Sequence, residues 1–197
     1  MKLDMVHDIQ TAYRKLIDSM SRPGTISDLS LEAGKLDMVQ GLLPATLIIA
    51  QMLLDTEVTF KVVSERESQI AHLLSQWTYA KEAVLDTADF IFVMSDAAQG
   101  ELLRTLETAK IGDLMDPHSS STIIMETESL FGGIKLSLAG PGIQTSSRAE
   151  MLISDEWTDA RAVRNAEFPL GLDMIFIDKF HRVLALPRTT QVVKEEV

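Results

Sequence analysis

Met5, Ile9, Ala12, Tyr13, Leu16, Ile17 and Met20 recur at intervals of three and four, the spacing that lines apolar side chains along one face of a helix. Asp4 stands where an N-cap belongs. Ser21-Arg22-Pro23-Gly24 ends the pattern, because proline disfavours helical geometry at the residue before it and glycine permits a turn. A short strand, Thr25 to Leu29, follows. Leu42 to Leu54 is apolar almost all round, with Pro44 in a first-turn position, and reads as a buried helix. Val58 to Val63 reads as a strand. Ser64 and Glu67 then have the spacing of a capping box ahead of the stripe Ile70, Leu73, Leu74 and Trp77. Phe90 to Met94 is a continuous apolar run, as a strand covered on both faces requires. Asp96 and Gln99 offer cap and back-cap to a helix carrying Leu102, Leu103 and Leu106, and Thr122 to Met125 gives the next buried strand.

Strand, helix, strand, helix, strand predicts right-handed crossovers and a parallel core. Beyond it the period becomes two. Ile134, Leu136 and Leu138 alternate with Lys135 and Ser137, and Gly132-Gly133 predicts a hairpin with the strand before it. Trp157, Ala160 and Val163 suggest a short helix over 155–164. Met174 to Ile177 and Val183 to Leu186 flank five polar-leaning residues and predict a second hairpin. The expected fold is therefore α/β: one domain over 1–197, a mixed sheet with a parallel core and antiparallel C-terminal hairpins, flanked by helices.

Charge and composition narrow the chemistry. The chain has no cysteine, which removes disulfides, thiolate metal sites, iron-sulfur ligation and a cysteine nucleophile. Its net charge of -11 repels polyanions, so no nucleic-acid partner is expected. Two carboxylates and a histidine within the first eight residues interrupt any signal-peptide pattern, and Leu42 to Leu54 is too short to span a membrane. A soluble cytoplasmic protein with no membrane partner is expected. Gly140-Pro141-Gly142-Ile143-Gln144-Thr145 has Thr145 where a dinucleotide fingerprint has its third glycine, and Gly34-Lys35 lacks the remaining P-loop residues.

Several side chains remain as candidates. Asp113, Asp116 and His118 could meet a hard cation or form a solvated turn beside Pro117. Lys61 and Lys135, on predicted strands, are the nearest candidates for a Schiff base or are wet-face residues. Asp173 opens a buried strand and needs partners, either backbone amides or a cation such as Arg188. Pro187-Arg188-Thr189-Thr190 ends the paired strand with a guanidinium and two hydroxyls, fit to hold phosphate, a sheet edge or a partner. Arg14 either pairs with Asp18 one turn on or points toward a partner.

Taken together, Tyr13-Arg14 to Met20, Ser21-Arg22-Pro23-Gly24, Gly140-Pro141-Gly142-Ile143, Phe168-Pro169-Leu170-Gly171-Leu172-Asp173 and Leu186-Pro187-Arg188-Thr189-Thr190 resemble, in order and spacing, the H subunit of the bacterial carbon-phosphorus lyase complex. Residues roughly 30 to 115 match in hydrophobic pattern alone. The resemblance implies a fold similar to pyridoxal-phosphate-dependent transferases without that cofactor, and a homodimer joined to the G, I and J subunits. It implies phosphonate catabolism, with Mg-ATP as a substrate of the complex in forming ribose 1-phosphonate 5-triphosphate. It carries no catalytic residue and no metal ligand onto this chain, and leaves Arg14, Asp173, Arg188 and Thr189 as binding or interface candidates. A free-standing cofactor-dependent transferase on Lys61 or Lys135, or a metal-assisted hydrolase on Asp113, Asp116 and His118, are the alternatives.

Overall fold

The structure, a computed structural model, describes residues 3–37, 41–153 and 157–195. In chain order its elements are α1 (His7–Ser21), β1 (Ile26–Asp28), α2 (Ser30–Ala33), α3 (Pro44–Leu53), β2 (Thr59–Val63), α4 (Glu67–Thr78), β3 (Lys81–Glu82) and β4 (Phe90–Val93). There follow α5 (Glu101–Thr108), β5 (Thr122–Thr127), β6 (Ile134–Ala139), β7 (Ser147–Met151), α6 (Trp157–Arg164), β8 (Asp173–Asp178), β9 (Arg182–Leu186) and β10 (Gln191–Lys194).

A seven-stranded sheet runs β1-β9-β8-β5-β4-β2-β3. Its joins from β3 to β8 are parallel, while β8–β9 and β9–β1 are antiparallel, so the sheet is mixed as the hydrophobic pattern predicts. Alternate residues of the central strands feed two cores. Phe60, Val62, Phe92, Ile124, Ile175 and Ile177 pack under α1, α3 and α4. Ile91, Val93, Ile123, Met174, Phe176 and Leu184 face α5, α6 and a second sheet. On that side Trp157 of α6 tilts against Phe176, with ring centroids 5.2 Å apart.

The second sheet, β10-β6-β7, corrects one expectation. β6 does not form a hairpin with β5; it pairs antiparallel with β7 and β10. Alternation specifies a strand with one wet face but not its neighbour, and the Gly132-Gly133 turn leads the chain out of the large sheet. β6 still buries Leu136 and Leu138, against Ala149 and Met151.

The helix starts differ in how far they follow the expected caps. The N-cap of α1 is Val6 and not Asp4; Asp4 lies one turn earlier, where its carboxylate accepts from the amides of Val6 and of His7, the first residue of the helix. Ser64 accepts from the Arg66 amide, but the Glu67 carboxylate turns to Lys61 and the capping box stays open. Asp96 does not cap α5, which starts one residue after Gly100; its carboxylate accepts from Ser64 and Arg66 instead, because a nearby guanidinium is the stronger partner. The expected helix over 155–164 is present as α6, and its first two positions lie outside the described residues. Among the described residues no helix is long and apolar enough to cross a membrane.

Candidate functional site

Motifs far apart in sequence meet at one corner of the molecule. The Gly142 backbone lies so close to residues 21–24 that a Cβ there would fall 2.1 Å from the Ser21 carbonyl oxygen. A Cβ on Gly140 would fall 2.8 Å from the Thr189 carbonyl oxygen. Only a residue without a side chain allows such backbone approaches. The turn after β6 is thereby pressed between the end of α1 and the segment that follows β9.

Asp173 locks the next two motifs together. Its Oδ1 accepts the Arg188 amide at 2.7 Å and its Oδ2 accepts Arg188 Nε at 3.1 Å and Nη2. Arg188 Nη1 also donates to the Pro117 carbonyl at 2.8 Å. Asp173 thus finds both kinds of partner its position demands, an amide and a cation. Asn165, one residue beyond α6, completes the clasp. Its Oδ1 accepts the Leu172 amide at 2.8 Å, while its Nδ2 donates to the Leu172 and Arg188 carbonyls.

Between α6 and the 187–190 turn lies a cleft of about 570 Å³. Arg161, Asn165, Phe168, Arg188, Thr189 and Thr190 line much of it, and no Asp or Glu does among the described residues. Arg161 is 2% exposed. It donates to the carbonyls of Thr190 at 2.9 Å, Pro187 at 2.7 Å and Leu186 at 3.3 Å. Burial pushes its guanidinium down to about 10, partly opposed by the charge of Asp173. Among the described residues, its Nε and the Thr190 hydroxyl are buried without a hydrogen-bond partner.

Arg188 and Thr189 line the cleft, and Asp173 is held beside it through its pair with Arg188. Arg14 stands apart on α1, exposed and without an ion pair among the described residues. Asp18, its expected partner, instead pairs with Arg22 at the helix end. Lys61 is held between Glu67 and Glu82: burial opposes its charge, but these two carboxylates outweigh that and raise it above the ordinary lysine range. Lys135 is exposed. The Asp113 carboxylate accepts the Met115 and Asp116 amides in an exposed turn. No group of three metal-ligating side chains is found among the described residues. Nothing in the local sequence pattern singles out Arg161 and Asn165. The one available signal was that Arg161 falls four residues after Trp157, on the helix face that turns inward.

The sequence model of the bacterial phosphonate metabolism protein (PhnH) family matches residues 2–193. This chain belongs to the PhnH family. It is 30% identical over 189 residues to HtxG of Stutzerimonas stutzeri, named as a C-P lyase subunit, with 93% of this chain and 85% of HtxG covered. It is also 30% identical over 201 residues to a Rhizobium meliloti protein, covering 98% of this chain and 94% of the relative. That relative is named as the PhnH subunit of alpha-D-ribose 1-methylphosphonate 5-triphosphate synthase. The corner is thus where a PhnH-family chain packs together the motifs through which it resembles the family.

Proposed function

We propose that this chain is a non-catalytic but required subunit of a carbon-phosphorus lyase core complex in phosphonate catabolism. In that role it supports formation of ribose 1-phosphonate 5-triphosphate from Mg-ATP and an alkylphosphonate. It does so as a cytoplasmic homodimer bound to the G, I and J subunits. The observation that carries the reading is the convergence of residues 21–24, 140–143, 168–173 and 187–190 on one corner. Family membership and the names of the two relatives give that corner its context. Dispersed turns packed against one another make a surface of fixed shape, which suits a partner more than a mobile catalytic loop does.

The architecture is read as that of a pyridoxal-phosphate-dependent transferase that takes no cofactor. A Schiff-base lysine has to lose its proton near neutral pH, and the carboxylates around Lys61 work in the opposite direction. The test is turnover. The purified chain should be a dimer with no phosphonate-dependent consumption of ATP, and should support that reaction once the other subunits are added. Turnover by the pure chain alone, or undiminished turnover by the complex lacking it, would overturn the reading.

A further inference from the structure

We infer that the groove between α6 and β10 seats an extended, acidic segment of a partner subunit, added as a strand on the β10 edge. The inference rests on the assembly proposed above and gives one of its contacts a place and a form. β10 pairs antiparallel with β6, with Val192 opposite Leu138 and Lys194 opposite Leu136, and the Glu195 amide donates to the Lys135 carbonyl at 2.9 Å. Bonded and non-bonded pairs alternate along such a ladder. Gln191 and Val193 therefore bond β6, while Val192 turns its N–H and C=O away from it. The Thr190 carbonyl, two residues earlier, points the same way and accepts from Arg161 Nη1 at 2.9 Å. Among the described residues nothing bonds the outward N–H and C=O of Val192.

The other sheet edges are guarded. β1 has three residues and β3 has two, both of these charged, while β7 sets Arg148 and Glu150 at the positions that turn away from β6. Proteins blunt their edges by such means because an open edge recruits strands. β10 instead carries two adjacent valines, Val193 being 63% exposed, with no proline or charge between Gln191 and Lys194. An edge in that state is a place for a strand.

The surroundings of the edge select a single extended chain. Trp157 and Ala160 of α6 and Val192 of β10 pack against the same apolar cluster, so helix and strand lie side by side over one face of the large sheet. The cleft of about 570 Å³ lies along both. A strand edge beside an open groove takes up peptides by strand addition, in which backbone bonds give affinity and alternate side chains enter pockets. Phe168, 76% exposed, and Leu170 supply apolar contact there. A second copy of this chain would bring its own α6 next to its own β10, and the gap between one helix and one strand does not admit both. Charge selects further. The chain carries -11, yet Arg188 lines the groove and, among the described residues, no Asp or Glu does. An acidic segment, repelled by the molecule as a whole, is accepted here.

The test reconstitutes the full-length chain with purified G, I and J subunits and follows hydrogen exchange at the Val192 amide. That amide should exchange about tenfold or more slowly in the assembly than in the free chain. Val192→Pro removes the outward N–H and no ladder bond, so it should melt as the native chain does and recover about tenfold less of its partners. Gln191→Glu, which puts a carboxylate into the lining, should weaken recovery about threefold, and Gln191→Lys should not. Failure of the native chain to assemble overturns the proposed function and this inference together. Assembly with a Val192 amide that exchanges as fast as in the free chain overturns the inference alone, and where Val192→Pro does not fold this measurement decides. Full partner recovery by a folded Val192→Pro, loss of the dimer in that variant with partner recovery intact, or stronger recovery by Gln191→Glu also overturns it.

Discussion

Glu126 and Arg161 are two of the charged side chains that this fold buries almost completely, and they are held in different ways. Glu126, at the end of β5, is 2% exposed and accepts from the Leu43 amide at 3.0 Å, the Thr46 hydroxyl at 2.7 Å and the Ser95 amide at 3.2 Å. Leu43 is the N-cap of α3, so this carboxylate also meets the favourable end of a helix dipole. Its oxygens are supplied by the protein itself, and the result ties α3 to the ends of β4 and β5. Arg161 is buried to the same degree, yet among the described residues it makes no direct ion pair: carbonyls take up its donors, and Asp173 acts on it through charge alone. A saturated buried charge is a structural fastening. Arg161 is a fastening of another kind, one cation gripping the backbone carbonyls of the 186–190 turn.

Glu126→Ala presses hardest on this contrast. It leaves two amides and a hydroxyl unpaired in the core, and should cost about 3 kcal/mol or more. Glu126→Gln, which keeps one acceptor but presents a new donor, should cost less. Chemical denaturation measures both; a loss under about 1 kcal/mol for the alanine variant would show that the cluster is not the fastening described.

Asp173 lies between the two extremes, a carboxylate 14% exposed and satisfied by Arg188. Asp173→Ala should cost about 1 to 3 kcal/mol through the partners it strands. Asp173→Asn retains the shape and an acceptor, and should fold and assemble nearly as the native chain does. The same denaturation experiment, with gel filtration of the mixed subunits, checks both. Loss of the complex's activity in Asp173→Asn with stability and assembly intact would move this residue from anchor to chemistry.

The smallest effect is expected at the surface. Burial tends to raise the Asp89 pKa, but hydrogen bonds from Lys110 and Thr59 outweigh it and hold the group below the usual carboxylate range. A folded pKa below the unfolded one stabilises the protein above the unfolded value. That contribution fades as pH falls from about 4 through the folded value. Asp89→Asn should therefore lower the melting temperature slightly at pH 7 and flatten its decline in acid. An acid limb unchanged by the substitution would remove Asp89 from the account.

How much of this was legible depends on how local each signal is. The parallel core is readable in Phe90–Val93 and Thr122 to Met125, because a strand buried on both faces needs a continuous apolar run. The β8–β9 hairpin and the Asp173–Arg188 pair are readable for a similar reason: a carboxylate entering a buried strand demands a cation, and one stands two residues past the end of the next strand. β7 is only five residues, Ser147-Arg148-Ala149-Glu150-Met151, and its alternation is too short and too polar to stand out. The partner of β6 is a matter of long-range packing that alternation does not encode. Arg161 escapes for the deepest reason. A charged residue in a short helix reads as solvated, and what buries it is the turn at 187–190, more than twenty residues further along.

The central claim, that this PhnH-family chain works inside an assembly, is tested most directly by recovering it from its own host. The tagged full-length protein is purified from cells grown on a phosphonate as phosphorus source, and the co-purifying chains are identified by mass spectrometry. The account predicts near-stoichiometric recovery of the G, I and J subunits. Recovery of the chain free of all three would contradict it.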